Sequence, residues 1–243
     1  MTLRLACVKW DDYDAALFDL DGVLTPTAEV HMDAWAEMFT EFLADLPDQR
    51  AYSDQDYFDY VDGKPRYEGV ASFLASRDIE LPFGDPSDEA GQSTVCALGN
   101  RKNAVFTAVL ARDGIAPYPG SLQLIDHLET LGIAMAVVSS SKNAPDVLAA
   151  AGIADRFPVV VHGGVAAEKG IAGKPAPDTY TYAAQQLSID SGRCVVFEDA
   201  ISGVQAGASG EFALVVGVDR GAGTEALMSN GAEVVVSDLA ELI

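Results

Sequence analysis

The sequence predicts an α/β protein whose parallel sheet is covered by helices on both faces and interrupted early by an all-helical cap. Short apolar runs of strand length recur at Ala15-Phe18, Ala134-Val138, Val159-Val161, Cys194-Phe197, Ala213-Val218 and Val234-Val236. From Ala134 onward helical patterns separate them, including Ala144-Ala151 and Pro177-Leu187. Uniformly apolar strands alternating with helices mark a parallel sheet buried on both sides, a Rossmann-like core. The alternation has one gap: more than a hundred residues without a convincing strand lie between the first run and Ala134.

That gap reads as helical. Helices are expected over Glu29 to Leu43, Ala71 to Arg77 and Asn103 to Arg112, with a last one after Pro119-Gly120. The expected division is a discontinuous core, residues 1–30 and 107–243, and a cap, residues 31–106. Within the cap, Asp45 to Asp62 holds six Asp against one Arg, with four Tyr or Phe. This stretch is expected to be a solvated acidic surface and not a site.

A chain of 243 residues can bury a sizeable core as one large domain or as a domain with an insertion. A net charge of −22 argues against nucleic acid or an anionic membrane as partner, since both need a basic footprint. An anionic substrate would need a local island of positive charge or a metal. The start, MTLRLACVKWDD, offers no apolar segment long enough for a signal peptide, and no run approaches the ~20 apolar residues of a membrane span. Cys7, Cys96 and Cys194 lie far apart and outside any CxxC pair. They are expected to be reduced structural residues of a cytoplasmic protein.

The chemistry begins at the end of the first strand, in LFDLDGVLT. Asp19 and Asp21 follow an apolar run, and ligands of open parallel sheets bind outside the carboxyl ends of strands. Taken alone, D-x-D-G could equally be a turn or a helix N-cap. Other segments decide between these. Val137-Val138 runs into Ser139-Ser140-Ser141-Lys142-Asn143; beyond the third strand comes Gly173-Lys174-Pro175-Ala176-Pro177-Asp178; the fourth strand runs into Glu198-Asp199. Gathered at one sheet edge, these supply paired carboxylates, a hydroxyl and an ammonium. That inventory suits phosphoryl transfer through a carboxylate nucleophile: Mg²⁺ takes one or two carboxylates plus phosphate oxygens, and the phosphoryl oxygens need positive charge.

DLDGV, SSSKN, GKPAPDTY and FEDA followed by SGVQAG, in that order, resemble the haloacid dehalogenase superfamily, and more narrowly the β-phosphoglucomutase family. The resemblance spans nearly the whole chain, cap included. It implies that Asp19 is the nucleophile and Asp21 the general acid and base. Ser139 and Lys174 would bind the transferring phosphoryl group. Mg²⁺ would be held by Asp19, Asp21 through its backbone carbonyl, Glu198 and Asp199. In the cap, Gly63-Lys64-Pro65-Arg66 puts two cations in an acidic insertion, and Arg66 matches the arginine that grips the distal phosphate. Ser141, Lys142 and Asn143 match residues meeting that same phosphate. Lys102 matches a sugar-positioning lysine, His31 its partner, and Thr27 a hinge residue.

The chain departs from the pattern at Pro26, where relatives usually carry aspartate, so a stiffer hinge is expected. The stretch Phe83 to Thr94 transfers least. Gly221-Ala222-Gly223 lacks the third glycine of a dinucleotide loop and reads as a turn. No HExxH, Cys/His cluster or Gly-x-Ser-x-Gly is present.

Three functions fit at this level. The first converts β-D-glucose 1-phosphate to D-glucose 6-phosphate, with glucose 1,6-bisphosphate as intermediate and activator. The second is a Mg²⁺-dependent phosphatase acting on small sugar phosphates. The third is a phospho-accepting binding module, disfavoured because receivers are about half this length and lack a cap. The expected partner is a small sugar phosphate, the expected assembly a monomer or weak homo-oligomer.

Overall fold

A computed structural model describes residues 8–46 and 48–243. Cys7 and most of the leading segment therefore lie outside the described residues. Six strands form one sheet, all parallel, in the order β3-β2-β1-β4-β5-β6: β1 (Ala15–Phe18), β2 (Ala134–Val138), β3 (Val159–Val161), β4 (Cys194–Glu198), β5 (Leu214–Val218) and β6 (Val234–Val236). All six expected runs are strands.

Side-chain alternation divides β1 between two cores. Ala16 and Phe18 join Val195, Phe197, Met135 and Val137 in one cluster, where Phe18 stacks on Phe197 at 4.6 Å between ring centroids. Ala15 and Leu17 join Ala136, Val138, Val196 and Tyr180 in the other. Burial on both faces is why these strands read as continuous apolar runs. The register sets Phe18 against both Val137 and Phe197, so three strands end level. From β1 the chain builds outward through β2 and β3, then crosses back to β4 on the other side of β1, and at such a switch point a ligand crevice opens.

Between β1 and β2 run α1 (Thr27–Ala44), α2 (Asp54–Tyr60), α3 (Arg66–Ala75), α4 (Val95–Asp113) and α5 (Pro119–Leu131). The first four enclose a core of their own, with Trp35, Met38, Phe39, Val70, Phe73 and Leu98 buried together. The Phe39 and Phe73 rings lie 3.8 Å apart. Helix limits differ from expectation where caps decide. α3 starts at Arg66, not Ala71, because Pro65 sits at its N-cap with φ −55°. α4 starts at Val95, not Asn103, because Thr94 Oγ1 accepts from Ala97 N at 3.0 Å.

The remaining helices are α6 (Ala144–Ala150), α7 (Gly163–Lys169), α8 (Asp178–Leu187), α9 (Ile201–Ser209) and α10 (Thr224–Ser229). α7 opens on Gly163-Gly164, a poor helix start by propensity; His162 Nδ1 secures it by accepting from Gly164 N at 3.1 Å. Gly221-Ala222-Gly223 is a turn as expected, its amides at Gly221 and Gly223 each 3.1 Å from Asp219 Oδ1.

The acidic segment Asp45 to Asp62 is not merely a solvated surface. Asp56 is 1% exposed and accepts from Arg77 Nη2 at 3.0 Å and Arg50 Nη1 at 2.9 Å. The Arg77 guanidinium also lies 4.5 Å from the Phe73 ring centroid. A buried carboxylate with two arginines ties α2 to the end of α3. Removing Asp56 or Arg77 costs roughly 3–5 kcal/mol because the other charge of that pair stays buried, whereas Arg50 is largely exposed.

Candidate active site

The carboxyl ends of β1, β2 and β4 meet the cap across a cavity of about 290 Å³ lined by Asp19, Asp21, His31, Asp62, Arg66, Lys102, Ser139, Lys142, Glu198 and Asp199, among others. Asp19 continues β1 by one ladder bond, its amide 2.9 Å from Phe197 O. The chain then turns sharply. Gly22 has φ +80°, and a Cβ there would sit 1.8 Å from Asp199 Oδ2, so only glycine fits the close approach. Gly22 N donates to Thr25 O at 2.8 Å, which brings Asp21 back over the sheet edge beside Asp19.

Lys174 is the positive centre. Its Nζ lies 2.5 Å from Asp19 Oδ1, 2.5 Å from Glu198 Oε1 and 3.0 Å from Val138 O. Burial alone would lower its pKa, but Asp19 and Glu198 outweigh burial and raise it, so the ammonium stays charged. The Lys174–Pro175 peptide is cis. Tyr180, on α8 and wholly buried, donates to Glu198 Oε1 at 2.6 Å.

Asp19, Glu198 and Asp199 can each offer a carboxylate oxygen, all within 4.8 Å of one another. Burial, then Asp62 and Asp19, hold the Asp199 carboxyl well above its ordinary pKa. Hard oxygen donors packed this densely, at a cost in desolvation, fit a small divalent cation such as Mg²⁺.

Asp21 belongs to a second network. Thr27 Oγ1 donates to Asp21 Oδ1, and Thr25 Oγ1 lies 2.8 Å from Thr27 Oγ1. His31 Nε2 sits 3.4 Å from Asp21 Oδ1, while His31 Nδ1 meets Lys102 Nζ. The His31 ring stacks on Phe106 at 3.9 Å. Burial would raise the pKa of Asp21, but His31 and Thr27 more than offset it, leaving it lowered. Lys102 is pushed down to about 7, chiefly by burial.

The opposite wall is a row of donors. Arg66 Nη2 and Asn143 Nδ2 both donate to Asn103 Oδ1, at 2.6 and 2.7 Å. Ser141 N donates to Ser139 Oγ at 3.1 Å, and Asn143 N to Ser141 Oγ at 3.1 Å, so the loop after β2 is knitted by its own hydroxyls. Ser140 Oγ reaches Gly63 O at 2.7 Å and Ser202 Oγ reaches Asp62 O at 3.1 Å, drawing the cap loop onto the core. Gly63, at φ +68°, is needed there, since a Cβ would lie 2.2 Å from Ser202 Oγ.

This layout invites comparison with known proteins. The family model for haloacid dehalogenase-like hydrolases matches residues 13–210. The chain belongs to this family. It is 47% identical over 239 residues to a β-phosphoglucomutase of Mycobacterium bovis, an overlap of 94% of this chain and 91% of that protein. A solved β-phosphoglucomutase from Clostridium difficile is similar with a TM-score of 0.76 at 25% identity, over 95% of this chain and 93% of that one. A solved CbbY variant from Rhodobacter sphaeroides, in complex with xylulose 1,5-bisphosphate, gives a TM-score of 0.73 at 25% identity, over 95% and 96%.

In this haloacid dehalogenase-like chain, every site residue singled out from sequence lines the cavity except Lys174, which touches Asp19, and Thr27. Thr27 reaches it through Asp21. The two cap cations part company, however. Lys64 Nζ turns back to Tyr60 O at 2.9 Å and Ser72 Oγ at 2.8 Å, whereas Arg66 is bonded to Asn103, the residue that also meets Asn143 of the core.

Three contributors escaped the sequence reading. Tyr180 gives no signal beyond its place in PDTY. Asn103 hides beside Lys102. Asp62 lies inside the stretch expected to be solvent-facing, yet it lines the cavity. Burial pushes its carboxyl from an ordinary 3.8 up to about 7, with Glu198 adding to the shift and the Tyr57 hydroxyl opposing it. A folded-state value above the unfolded one means a contribution to stability that is complete below pH 4 and lost as pH rises through 7. Full linkage is about 4 kcal/mol, which partial solvation halves to about 2 kcal/mol. Asp62→Asn is therefore expected to stabilise the protein in chelator by about 2 kcal/mol at pH 8 and negligibly at pH 4. Thermal unfolding across that range checks it; a gap independent of pH would rule the assignment out.

Proposed function

We propose that the protein is a β-phosphoglucomutase, converting β-D-glucose 1-phosphate to D-glucose 6-phosphate through an aspartyl-phosphate enzyme and a glucose 1,6-bisphosphate intermediate. One observation carries this reading: a single cavity joins a phosphoryl-transfer centre at Asp19 and Lys174 to a second anion-binding wall at Arg66, Lys142 and Asn143. A hydrolase needs the first alone, whereas a mutase must grip both ends of a bisphosphate. The CbbY neighbour, solved with a bisphosphate sugar, agrees with a two-phosphate cavity in this fold.

In the proposed reaction an Asp19 carboxylate oxygen attacks phosphorus, and the bond from phosphorus to the leaving oxygen breaks. Asp21 gives that oxygen a proton. In the opposite transfer, which starts from phosphorylated Asp19, the Asp21 carboxylate takes the proton from the sugar hydroxyl that attacks the aspartyl phosphate, and this is the proton it then holds for the leaving oxygen. Lys174 and Ser139 hold the equatorial phosphoryl oxygens where charge accumulates. Ser141, Lys142, Asn143 and Arg66 hold the distal phosphate. His31, Lys102 and Thr27 fix Asp21. Mg²⁺, held by Asp19, Glu198, Asp199 and the Asp21 carbonyl, would neutralise charge on the transferring group when bound. Glucose 1,6-bisphosphate would prime the enzyme. Residues 31–106 would act as the cap, seated through Gly63 and Asp62. We place the reaction in the cytoplasm, on a small sugar phosphate, without a nucleic-acid or membrane partner; among the described residues no helix is long and apolar enough to cross a membrane.

The deciding experiment supplies Mg²⁺, β-glucose 1-phosphate and a trace of glucose 1,6-bisphosphate, then follows glucose 6-phosphate and free phosphate in parallel. Glucose 6-phosphate in large excess is expected. Free phosphate alone would replace this reading with a phosphatase. Arg66→Ala is expected to lower mutase turnover by about 100-fold, the loss of a bidentate charge-assisted grip of 2–3 kcal/mol. Phosphate release should fall by less than tenfold, so the product ratio shifts toward hydrolysis. Equal losses of both products would remove Arg66 from the distal site.

A further inference from the structure

The catalytic turn is held from outside by residues with no part in the reaction described above. Three successive carbonyls of the turn are tied to distant elements. Gly22 O accepts from Arg220 Nε at 2.8 Å, Val23 O from Ser121 Oγ at 2.7 Å, and Leu24 O from Tyr118 N at 3.0 Å. Arg220 lies in the loop beyond β5, almost two hundred residues from Gly22 in sequence. Its guanidinium is itself fixed: Nη1 donates to Ser237 O at 2.9 Å, and Cζ rests 3.9 Å from the Tyr118 ring centroid.

Gly22 is the residue where such an anchor matters most. It has no side chain, occupies φ +80°, and separates Asp21 from the rest of the turn. Without restraint, a glycine there samples many conformations. The peptide before it is planar, and its N–H is committed to Thr25 O at 2.8 Å, so the Asp21 carbonyl of that peptide points the opposite way. The peptide after it is committed to Arg220. With both peptides fixed, the Asp21 carbonyl cannot swing, and the Gly22 Cα stays packed against the Asp199 carboxylate.

We propose that Arg220 is a positioning residue for the reaction: by holding Gly22 O it completes, with the Gly22 N–H bond to Thr25 O, the clamp that keeps the Asp21 carbonyl in its direction and Asp21 at its spacing from Asp199. This rests on the proposed function insofar as Asp21 and Asp199 take the metal and acid–base roles given there. Arg220 touches neither substrate nor cation. It belongs with the outer residues that orient ligands, whose loss costs about 10–100-fold in metal affinity or activity.

The test compares wild type with Arg220→Gln, Arg220→Lys and Ser121→Ala, the last removing the neighbouring clamp on Val23. Mg²⁺ affinity is read by titration calorimetry, kcat and KM by the coupled assay, folding by thermal melts. Arg220→Gln is expected to weaken Mg²⁺ binding about tenfold and lower kcat about tenfold, with KM for the sugar phosphate within twofold. Arg220→Lys keeps the charge but cannot reach Gly22 and Ser237 together, so intermediate losses are expected. Ser121→Ala should lower the melting temperature and leave Mg²⁺ affinity unchanged. Mg²⁺ affinity within twofold of wild type in Arg220→Gln overturns the proposal, as does an equal loss in Ser121→Ala. Should Arg220→Gln not fold, wild-type Mg²⁺ affinity in Arg220→Lys overturns it instead. Absence of mutase activity in the wild type would overturn the proposed function; the calorimetric reading would still decide the role of Arg220.

Discussion

Asp19→Asn is expected to abolish turnover, lowering kcat on the order of 10⁴-fold or more, the scale seen when a covalent nucleophile is removed. The amide has nearly the same shape, so the fold and the ladder bond from Asp19 N to Phe197 O should persist. Its oxygen is a far weaker nucleophile, because the amide is neutral and carries none of the negative charge of the carboxylate. The substitution also removes one of two carboxylates facing Lys174, which keeps Glu198 at 2.5 Å. It further deletes one member of the trio able to share a cation. Two measurements separate these effects: kcat at saturating Mg²⁺, and trapping of phosphoenzyme by intact-protein mass. The wild type should gain one phosphoryl group from glucose 1,6-bisphosphate and the variant none. A variant that still acquires the phosphoryl group, or loses less than tenfold in rate, would require a different nucleophile.

Much of this site was legible because of how a parallel sheet displays it. The strands are buried on both faces, so they stand out as apolar runs, and each functional segment begins where one of them ends. Asp19, Ser139 and Glu198 could be aligned from sequence for that reason alone. Asp62 could not. Its neighbours Asp48, Asp54 and Asp59 face solvent or the rim, and composition does not separate them from Asp62 or from the buried Asp56. What distinguishes Asp62 is the loop around Gly63, which Ser140 and Ser202 draw against the core, and that contact joins residues far apart in the chain. Tyr180 and Arg220 were hidden for the same reason. A buried tyrosine on α8 reads as core packing until its hydroxyl is found on Glu198, and an arginine beside a glycine-rich turn reads as surface until its Nε is found on Gly22.

Asp21→Asn separates proton transfer from everything else the site does. The neighbours of Asp21 bear on its side chain: Thr27 donates to it, His31 stands 3.4 Å away, and Lys102 lies beyond His31. These hold the carboxylate in its charged form and aim it. An asparagine can still accept from Thr27, and its backbone carbonyl is unchanged, so sugar phosphate and Mg²⁺ should bind within a fewfold of wild type. What it cannot do is give a proton to a departing sugar oxygen or take one from an attacking hydroxyl. General acid–base catalysis is worth about 10²–10⁴-fold, so kcat for the mutase reaction is expected to fall by roughly 10³-fold. An aryl phosphate with a good leaving group needs no proton to depart. Phosphorylation of Asp19 by p-nitrophenyl phosphate, followed by its single burst of nitrophenolate, should therefore proceed in Asp21→Asn within about tenfold of wild type, a smaller loss than the 10²–10⁴-fold that proton transfer is worth. If the variant is as slow with the aryl phosphate as with the sugar, Asp21 serves the nucleophile or the cation, and the acid–base role belongs to another member of its network.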